Sequence, residues 1–482
     1  MLKTLLRDAA VYGASTVLTR AVALLLVPVY TRVLVPAEYG AIDILGIFAN
    51  FVTLTVALEV TQAVARFLPD AGTVEERKRL VSTAALFSVV VYSAFLGLSL
   101  LFAEWIRTTL VGSAIEPWAM VAALCSIWTV GIFQLLQNNL RFSLQPVAFT
   151  VASLAYSLTS ISLSVVLVVG FSAGVGGVML GQAAGGLLGS VVAGWFGRRM
   201  YALVFSAAAL RRMLGFSVPL VPAGLGVLVT MYIDRIALNE LASLTEVGVF
   251  GIGYRLASIV ALLVLGFQMA LTPLVYQRYR DPATPGELAR IFRVFVSVAA
   301  VLSLVLSLFA PEALRLATTP AYYAAEVVVP LMAPAILLSG MYVFMPGLAI
   351  ARQTRLIGII TISGAALNTV LNFALIPQLG VSGAALATLT SSVGIFLAHA
   401  YLSQRHYRAP HRWSRFAVVA CAYVILVVLG VAVGHGTPLA ISVKLCAMAA
   451  MLATVVLAGL VTRDELVAAI SRTRRLLTRS PG

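Results

Sequence analysis

Charged residues are scarce in this chain of 482 residues: they make up 11% of it, while hydrophobic residues make up 61%. A water-soluble domain carries roughly 25% charged residues, so this composition excludes a soluble globular protein. The chain also lacks the alternating polarity that marks the strands of a membrane barrel. Its apolar stretches instead continue for about twenty residues, the length of an α-helix that crosses the hydrocarbon core of a bilayer.

Reactive side chains are also few. The three cysteines, Cys125, Cys421 and Cys446, all fall within apolar stretches, where a packing role is simpler than a disulfide or a metal site. The sequence has four histidines, and the one deepest in an apolar stretch, His399, lies near the end of it. Because the sequence also has no Walker loop, no metal-binding spacing and no nucleophile elbow, we expect no metal or cofactor and exclude an ATP-driven pump.

The apolar stretches predict an all-α polytopic membrane protein. We identify about fourteen spans by length and hydropathy, at 9–33, 39–65, 81–103, 117–140, 146–170, 175–197, 213–234, 247–275, 291–310, 327–350, 356–376, 383–402, 416–434 and 439–461. The connections between them are short. The longest external ones, near 104–116 and 311–326, have room for a turn or a short interfacial helix, and no soluble domain is inserted.

The formal charge of +15 has a topological explanation. Most of the 33 lysines and arginines fall in every second connection and near the two ends of the chain. Cytoplasmic segments of membrane proteins are enriched in these residues, so both termini are predicted to be cytoplasmic. A nucleic-acid partner is therefore not expected.

The chain repeats itself at nearly constant offset. Three pairs of motifs recur six spans apart: Glu38-Tyr39-Gly40 with Glu246-Val247-Gly248, Gly131 with Gly340, and Gly174 with Gly380. Because six is an even number of spans, the two halves have the same orientation, which implies a pseudo-twofold axis along the membrane normal. We predict two six-helix lobes around a central cavity, at 1–205 and 206–405, and two extra spans with a basic tail at 406–482.

Ionisable residues within the spans are the candidates for function. An isolated charge in mid-bilayer costs about 3 kcal/mol, so such residues usually face a cavity or a partner. Arg20 and Arg255 are predicted to bind an anionic headgroup, since guanidinium matches phosphate oxygens. Glu59 and Asp43, both in the second span, are candidates for coupling transport to H+ or Na+. Glu59 is also a candidate for substrate binding. Internal pairing, for example of Arg20 with Glu59, is the alternative.

Three further residues complete the predicted substrate site. Arg66 lies seven residues after Glu59, on the same helical face. Asp234 and Arg235 lie where the seventh span is predicted to leave the membrane. The alternative for these two is an interfacial pair at a helix end.

Prolines in the first span of each predicted lobe suggest points of bending. Proline removes a backbone hydrogen bond and bends a helix. Pro28, Pro219 and Pro222 are therefore candidate hinges, and a static kink is the alternative.

Several of these motifs resemble those of a known family. Pro28–Arg32 followed by Pro36–Gly40 resembles the first hairpin of the bacterial flippases for O-antigen and exopolysaccharide, in the multidrug/oligosaccharidyl-lipid/polysaccharide exporter superfamily. The resemblance covers most of the first 400 residues, and its other motifs are Phe216–Pro222, Asp234-Arg235, Glu246–Phe250, Tyr254-Arg255, Asn368–Pro377 and Gly380–Ala385.

The resemblance implies a flippase that moves an undecaprenyl-pyrophosphate-linked oligosaccharide to the outer leaflet of the bacterial inner (plasma) membrane by alternating access. Its partners would be the polyprenyl-linked glycan, the lipid bilayer, a polysaccharide polymerase and glycosyltransferases. The alternatives are a peptidoglycan-precursor flippase or a cation-coupled drug exporter. A membrane glycan polymerase or ligase is a different class, but it would be expected to carry a large external loop.

Overall fold

The computed structural model describes residues 26–460, apart from the side chains of residues 270 and 272–274. Within these limits every regular element is a helix. The α-helices are α1 Val27–Val33, α2 Pro36–Val56, α3 Val60–Phe67, α4 Val74–Leu101, α5 Ala103–Leu110, α6 Pro117–Phe142, α7 Pro146–Val165, α8 Gly174–Gly197, α9 Ala207–Ser217, α10 Val221–Leu241, α11 Leu244–Ala257, α12 Val260–Arg278, α13 Thr284–Leu308, α14 Ala310–Ala317, α15 Val329–Gly340, α16 Gly347–Ile350, α17 Thr354–Leu379, α18 Val381–His406, α19 Trp413–Ala432 and α20 Pro438–Leu457.

The protein is a multi-pass membrane protein. Among the described residues, 11 spans are long and apolar enough to cross a bilayer, and 13 if two bent helix pairs each count as one span. This agrees with the predicted all-α membrane fold. The first predicted span, 9–33, lies mostly outside the described residues. Short helices α5 and α14 occupy the two longest predicted connections, as expected.

Local sequence signals explain where the helices begin. The side chain of Thr73 accepts a hydrogen bond from the backbone N–H of Glu76 and so caps α4. This cap lies before the predicted start of the third span at 81, so α4 includes a charged first turn that the apolar pattern had left out. Proline stands in the first turn of α2, α6 and α7, where its missing N–H costs nothing.

Three predicted spans are interrupted or bent, and a fourth is part of a longer helix. The second span is broken between α2 and α3 at Ala57–Glu59. The eighth and tenth spans are bent by 49° and 51°. The seventh, predicted at 213–234, is part of a candidate span from Ala207 to Leu241. Hydropathy reports total apolar length, and it does not register a break in the backbone or a polar extension of a helix.

Contacts divide the chain into two compact units, with the boundary between Gly251 and Ile252. In the first unit α6, α7 and α8 pack closely, because the glycines of α8 admit neighbouring backbone: a Cβ at Gly181 would lie 2.7 Å from the carbonyl oxygen of Ser160. In the second unit α17 packs along α18, and Asn368 Nδ2 donates to Thr388 Oγ1 at 3.3 Å. The predicted boundaries at 205 and 405 stay predictions.

Candidate functional site

Helix α2 packs along α10, and polar side chains pair across this contact. Asn50 Nδ2 of α2 donates to the hydroxyl of Tyr232 on α10 at 3.4 Å. Further along, Leu54 fills the space beside Gly224, where a Cβ would lie 2.6 Å from Leu54 Cδ1. A residue larger than glycine at 224 would therefore have to displace the end of the Leu54 side chain.

A buried ion pair links the same two helices. Nε of Arg235 lies 3.4 Å from Oδ2 of Asp43, and each side chain is only 10% exposed. The guanidinium also lies over the rings of Tyr232 and Phe250, at 5.9 and 5.5 Å from their centroids. Since the carboxylate and the guanidinium compensate each other's charge, the pair can be held in a low-dielectric environment.

Next to this ion pair, α2 crosses α11 at a reciprocal glycine contact. A Cβ at Gly40 would lie 3.0 Å from the backbone nitrogen of Gly248 and would overlap the carbonyl oxygen of Leu244. A Cβ at Gly248 would lie 3.0 Å from the backbone nitrogen of Gly40 and would overlap the carbonyl oxygen of Pro36. Both positions require glycine, because backbone occupies the space that a side chain would need.

Glu59 lies at a strained break in the backbone. Leu58 and Glu59 have φ values of 50° and 54°, in the left-handed region that residues with a Cβ rarely adopt. Such a conformation costs on the order of 1–3 kcal/mol per residue and tends to occur at functional sites. The break ends α2 at Val56, and α3 begins directly after Glu59.

Glu59 lines a small polar cavity within the first unit. Its volume is about 160 Å³, enough for a few water molecules or a hydrated ion. The polar residues around it carry hydroxyl, amide and carboxylate groups: Thr53, Glu59, Thr61, Gln62, Ser88, Tyr92, Gln134 and Asn138. The hydroxyl oxygen of Ser88 is buried and has no hydrogen-bond partner within residues 26–460. The cavity can therefore hold a proton on Glu59 or a cation among oxygen atoms.

The other predicted site residues are not gathered at one point. Arg66, near the end of α3, pairs with Asp70 at 2.5 Å, and both side chains are about half exposed. Asp234 is 8% exposed, and α10 continues beyond it to Leu241. Arg255, in the last turn of α11, precedes the 49° bend. Arg20 lies outside the described residues.

The candidate hinge prolines lie at helix starts. Pro28 is in the first turn of α1. The earlier part of the span predicted at 9–33 lies outside the described residues. Pro219 lies in a 3₁₀ turn, Val218–Leu220, and Pro222 is in the first turn of α10. The two prolines thus mark the junction between α9 and α10.

One charge pair was missed by the sequence analysis. The side chain of Lys444 is 2% exposed and pairs with Glu312 at 2.5 Å. Its Nζ also lies 5.6 Å from the ring centroid of Phe309. The signal that could have found it is a single lysine among apolar neighbours in α20, since such a residue needs a partner.

The described part of the chain is thus a bundle of membrane-spanning helices with buried charge pairs and a small polar cavity. A family model described as "Polysaccharide biosynthesis protein" matches residues 5–277, more than half of the chain. The chain belongs to this family of polysaccharide biosynthesis proteins, as the resemblance found in the sequence had indicated. None of the curated protein sequences compared with the chain matches it.

Solved structures have the same fold at low sequence identity. The lipid II flippase MurJ, in an inward closed conformation, has a TM-score of 0.69 at 13% identity, over 91% of this chain and 97% of that one. A multidrug resistance transporter of the MATE family, inward-facing, has a TM-score of 0.62 at 14% identity, over 81% and 98%. The Vibrio cholerae MATE transporter VcmN, in its bent form, has a TM-score of 0.52 at 15% identity, over 84% and 98%.

Proposed function

We propose that the protein is a flippase that moves a polyprenyl-pyrophosphate-linked oligosaccharide from the cytoplasmic to the outer leaflet of the bacterial inner membrane. The family match over residues 5–277 carries this proposal. The similarity in fold to a lipid II flippase supports it, because both substrates would combine a polyprenyl chain, a pyrophosphate and a sugar. The oligosaccharide is assembled by glycosyltransferases before the flip and extended by a polymerase after it.

In the proposed orientation both termini are cytoplasmic, since most lysines and arginines flank the spans on that side. The start of α2 then lies at the external end of its span, with the contact between Gly40 and Gly248 and the pair of Asp43 with Arg235 close by. Alternating access requires these helix ends to separate when the site opens outward. Pro28, Pro219 and Pro222 are the proposed hinges for that movement.

Arg20 and Arg255 are proposed to bind the pyrophosphate, since a guanidinium offers paired donors to phosphate oxygens. Asp234, Arg235, Glu59 and Arg66 are the other proposed substrate contacts. Changing Arg255 to Ala or Glu should then abolish transport while leaving the amount of inserted protein unchanged. Unimpaired transport by the Arg255 and Arg20 variants would end this assignment.

Glu59 is the proposed coupling carboxylate. Asp43, the other candidate, is engaged in the ion pair with Arg235. Glu59 faces a cavity of hydroxyl and amide groups through which H+ or Na+ could be bound and released. Coupling to an ion gradient would allow the substrate to be moved uphill.

The test in cells is depletion of the protein from its native host. The proposal predicts that the lipid-linked oligosaccharide accumulates in a form that an external glycosidase reaches only after the cells are lysed. Re-expression of the wild-type protein should clear it. Accumulation of a peptide-bearing cell-wall precursor would instead favour a peptidoglycan-precursor flippase, and an increased sensitivity to cationic drugs alone would favour a drug exporter.

A further inference from the structure

The connection between α8 and α9 presents apolar side chains outward. Leu203 is 99% exposed, Phe205 is 54% exposed and Val204, between them, is 42% exposed. These three residues lie in no helix and in none of the candidate membrane spans. Contiguous exposed apolar side chains outside the spans mark a surface that contacts a partner or a membrane.

Hydrogen bonds to α4 hold this connection in one place. The backbone N–H of Ala202 donates to the hydroxyl of Ser82 at 2.8 Å. The backbone N–H of Ser206 donates to the hydroxyl of Thr83 at 3.2 Å. Both hydroxyls belong to buried side chains. Between these two anchors, the N–H of Val204 donates to the carbonyl oxygen of Ala202 at 2.8 Å, so the exposed apolar side chains belong to an ordered turn.

The residues at the two ends of the turn are tied to the first unit. Tyr201 packs against a buried apolar cluster of that unit, and its hydroxyl accepts a hydrogen bond from Nδ2 of Asn139 at 3.2 Å. Ser206 caps α9, because its hydroxyl accepts a hydrogen bond from the N–H of Ala209 at 3.3 Å. The apolar middle of the turn is therefore held away from the core by both of its ends.

The anchors on α4 place the turn where that helix changes from charged to apolar. Arg79 is the last charged residue of α4, and Leu80, which follows it, is buried. At a rise of 1.5 Å per residue, Ser82 lies about 5 Å beyond Arg79 along the helix axis. Segments that lie in a membrane interface bury their apolar side chains about 5–10 Å deep. The turn thus lies at the level where lipid headgroups meet hydrocarbon.

Arginines flank the apolar turn on both sides. Arg198 and Arg199 lie in the 3₁₀ turn that follows α8, and Arg211 and Arg212 lie in α9. All four are exposed, and within residues 26–460 none of them forms an ion pair. The guanidinium of Arg198 lies 4.2 Å from the ring centroid of Trp195, which is 65% exposed. Tryptophan is enriched at membrane interfaces, and guanidinium groups match phosphate oxygens.

We propose that this turn is a membrane anchor that binds anionic phospholipid. Leu203, Val204 and Phe205 insert among the acyl chains, and the flanking arginines bind the phosphate groups of the lipid headgroups. An apolar tip with cationic flanks complements a leaflet that has a hydrocarbon interior and a negative surface. The anchor uses none of the residues proposed to contact the transported substrate.

Photolabelling of the full chain in lipid nanodiscs tests the proposal. The nanodiscs contain equal parts of phosphatidylglycerol, which is anionic, and phosphatidylethanolamine, which is zwitterionic. A trace of one or the other carries a diazirine in an acyl chain close to the glycerol, and labels are mapped by mass spectrometry. We expect both probes to label residues 201–206, and the anionic probe to do so at least about fivefold more, since each arginine near an anionic surface favours binding by about that factor.

A pair of arginine variants tests the headgroup contacts. Arg211→Gln with Arg212→Gln should lower the ratio of anionic to zwitterionic labelling of the turn at least about fivefold. The matched control is Arg405→Gln with Arg408→Gln, which changes the net charge equally at exposed positions of the second unit. This control should leave the ratio as it is in the wild-type protein.

A second pair of variants tests the insertion. Leu203→Ser with Phe205→Ser should lower labelling of the turn by both lipids, and thermal unfolding should be unchanged because both side chains are exposed. Val74→Ser, at an exposed apolar position in the charged first turn of α4, should leave these labels intact.

A wild-type turn that neither lipid labels, or that both label equally, would overturn the proposal. An equal fall of the ratio in the two arginine pairs would overturn it too, as would a turn that is protected from lipid by a second copy of the chain. These experiments measure lipid binding without transport, so their outcome is separate from that of the proposed flippase activity.

Discussion

Gly40 and Gly248 contact each other reciprocally, and they occupy equivalent positions of the internal repeat. Each glycine lies against the backbone nitrogen of the other. Gly40 also lies against the carbonyl oxygen of Leu244, four residues before Gly248, and Gly248 lies against the carbonyl oxygen of Pro36, four residues before Gly40. A contact that is the same from both sides is expected where a pseudo-twofold axis passes between two related helices. The repeat in the sequence thus has a physical counterpart at the crossing of α2 and α11.

The first prediction concerns this crossing. Gly40→Ala should reduce transport strongly, because overpacking costs about 1–3 kcal/mol and the helix ends can no longer approach as they do here. Gly46→Ala is the matched control on the same helix, since a Cβ at Gly46 meets nothing within 4 Å. The measurement is the flipping rate of each variant, normalised to the amount of inserted protein, and the rate of Gly40→Ala should be the lower of the two. Equal rates would contradict a requirement for close contact.

The second prediction concerns the pair of Asp43 with Arg235. Asp43→Asn or Arg235→Gln should each lower the stability by about 3–5 kcal/mol, because each removes one partner of a buried ion pair. The double variant should cost less than the sum of the two. Thermal unfolding in detergent measures this, with Arg66→Gln as control: its pair with Asp70 is half exposed and worth about 0–1 kcal/mol. Additive losses would mean that the two side chains act separately.

The third prediction concerns ion coupling. Glu59→Gln preserves the size of the side chain but cannot carry an exchangeable proton, so transport should no longer respond to a pH gradient. Glu104→Gln, on the short helix α5, should leave the response intact. Transport is measured in liposomes with and without an imposed gradient. A Glu59→Gln protein that still follows the gradient would exclude Glu59 as the coupling group.

The fourth prediction concerns His411, in the loop between α18 and α19. Burial lowers the pKa of His411 to about 4, and its ring packs on Phe292 at 4.8 Å between centroids. Since the unfolded chain takes up a proton below the ordinary pKa of 6.5 and the folded protein does not, stability should fall as the pH drops from about 6.5 towards 4. At pH 5.5 the loss is about 1 kcal/mol.

The check is the difference in melting temperature between pH 7.5 and pH 5.5. His411→Phe should make this difference smaller, because it removes the buried titrating group. His406→Phe changes an exposed histidine of the same region and should leave the difference as it is. If the two variants respond alike, His411 is not the source of the acid sensitivity.

Some of these features could be predicted from the sequence and others could not. Hydropathy and charge placement define the membrane fold, and short motifs such as Glu38-Tyr39-Gly40 and Glu246-Val247-Gly248 predict the starts of α2 and α11. The repeat is visible because glycine is required wherever backbones touch. Gly174 and Gly380, another repeat pair, both have positive φ, near 50° and 55°.

Features that depend on non-local packing were not predictable. Nothing in the sequence pairs Asp43 with Arg235, since the two lie on helices far apart in the chain and become neighbours only when α2 packs along α10. The break at Leu58 and Glu59 lacks glycine and proline, the usual breakers. The burial of Lys444 depends in the same way on Glu312, which another helix supplies.

The protein is proposed to carry a polyprenyl-pyrophosphate-linked oligosaccharide across a bilayer. The most direct test reconstitutes the purified protein in liposomes whose inner leaflet contains this lipid and measures how much of the sugar becomes accessible to an impermeant glycosidase. We expect rapid exposure of the sugar with the wild-type protein, and exposure near that of protein-free liposomes with Gly40→Ala. No exposure above protein-free liposomes, with or without an ion gradient, would contradict it.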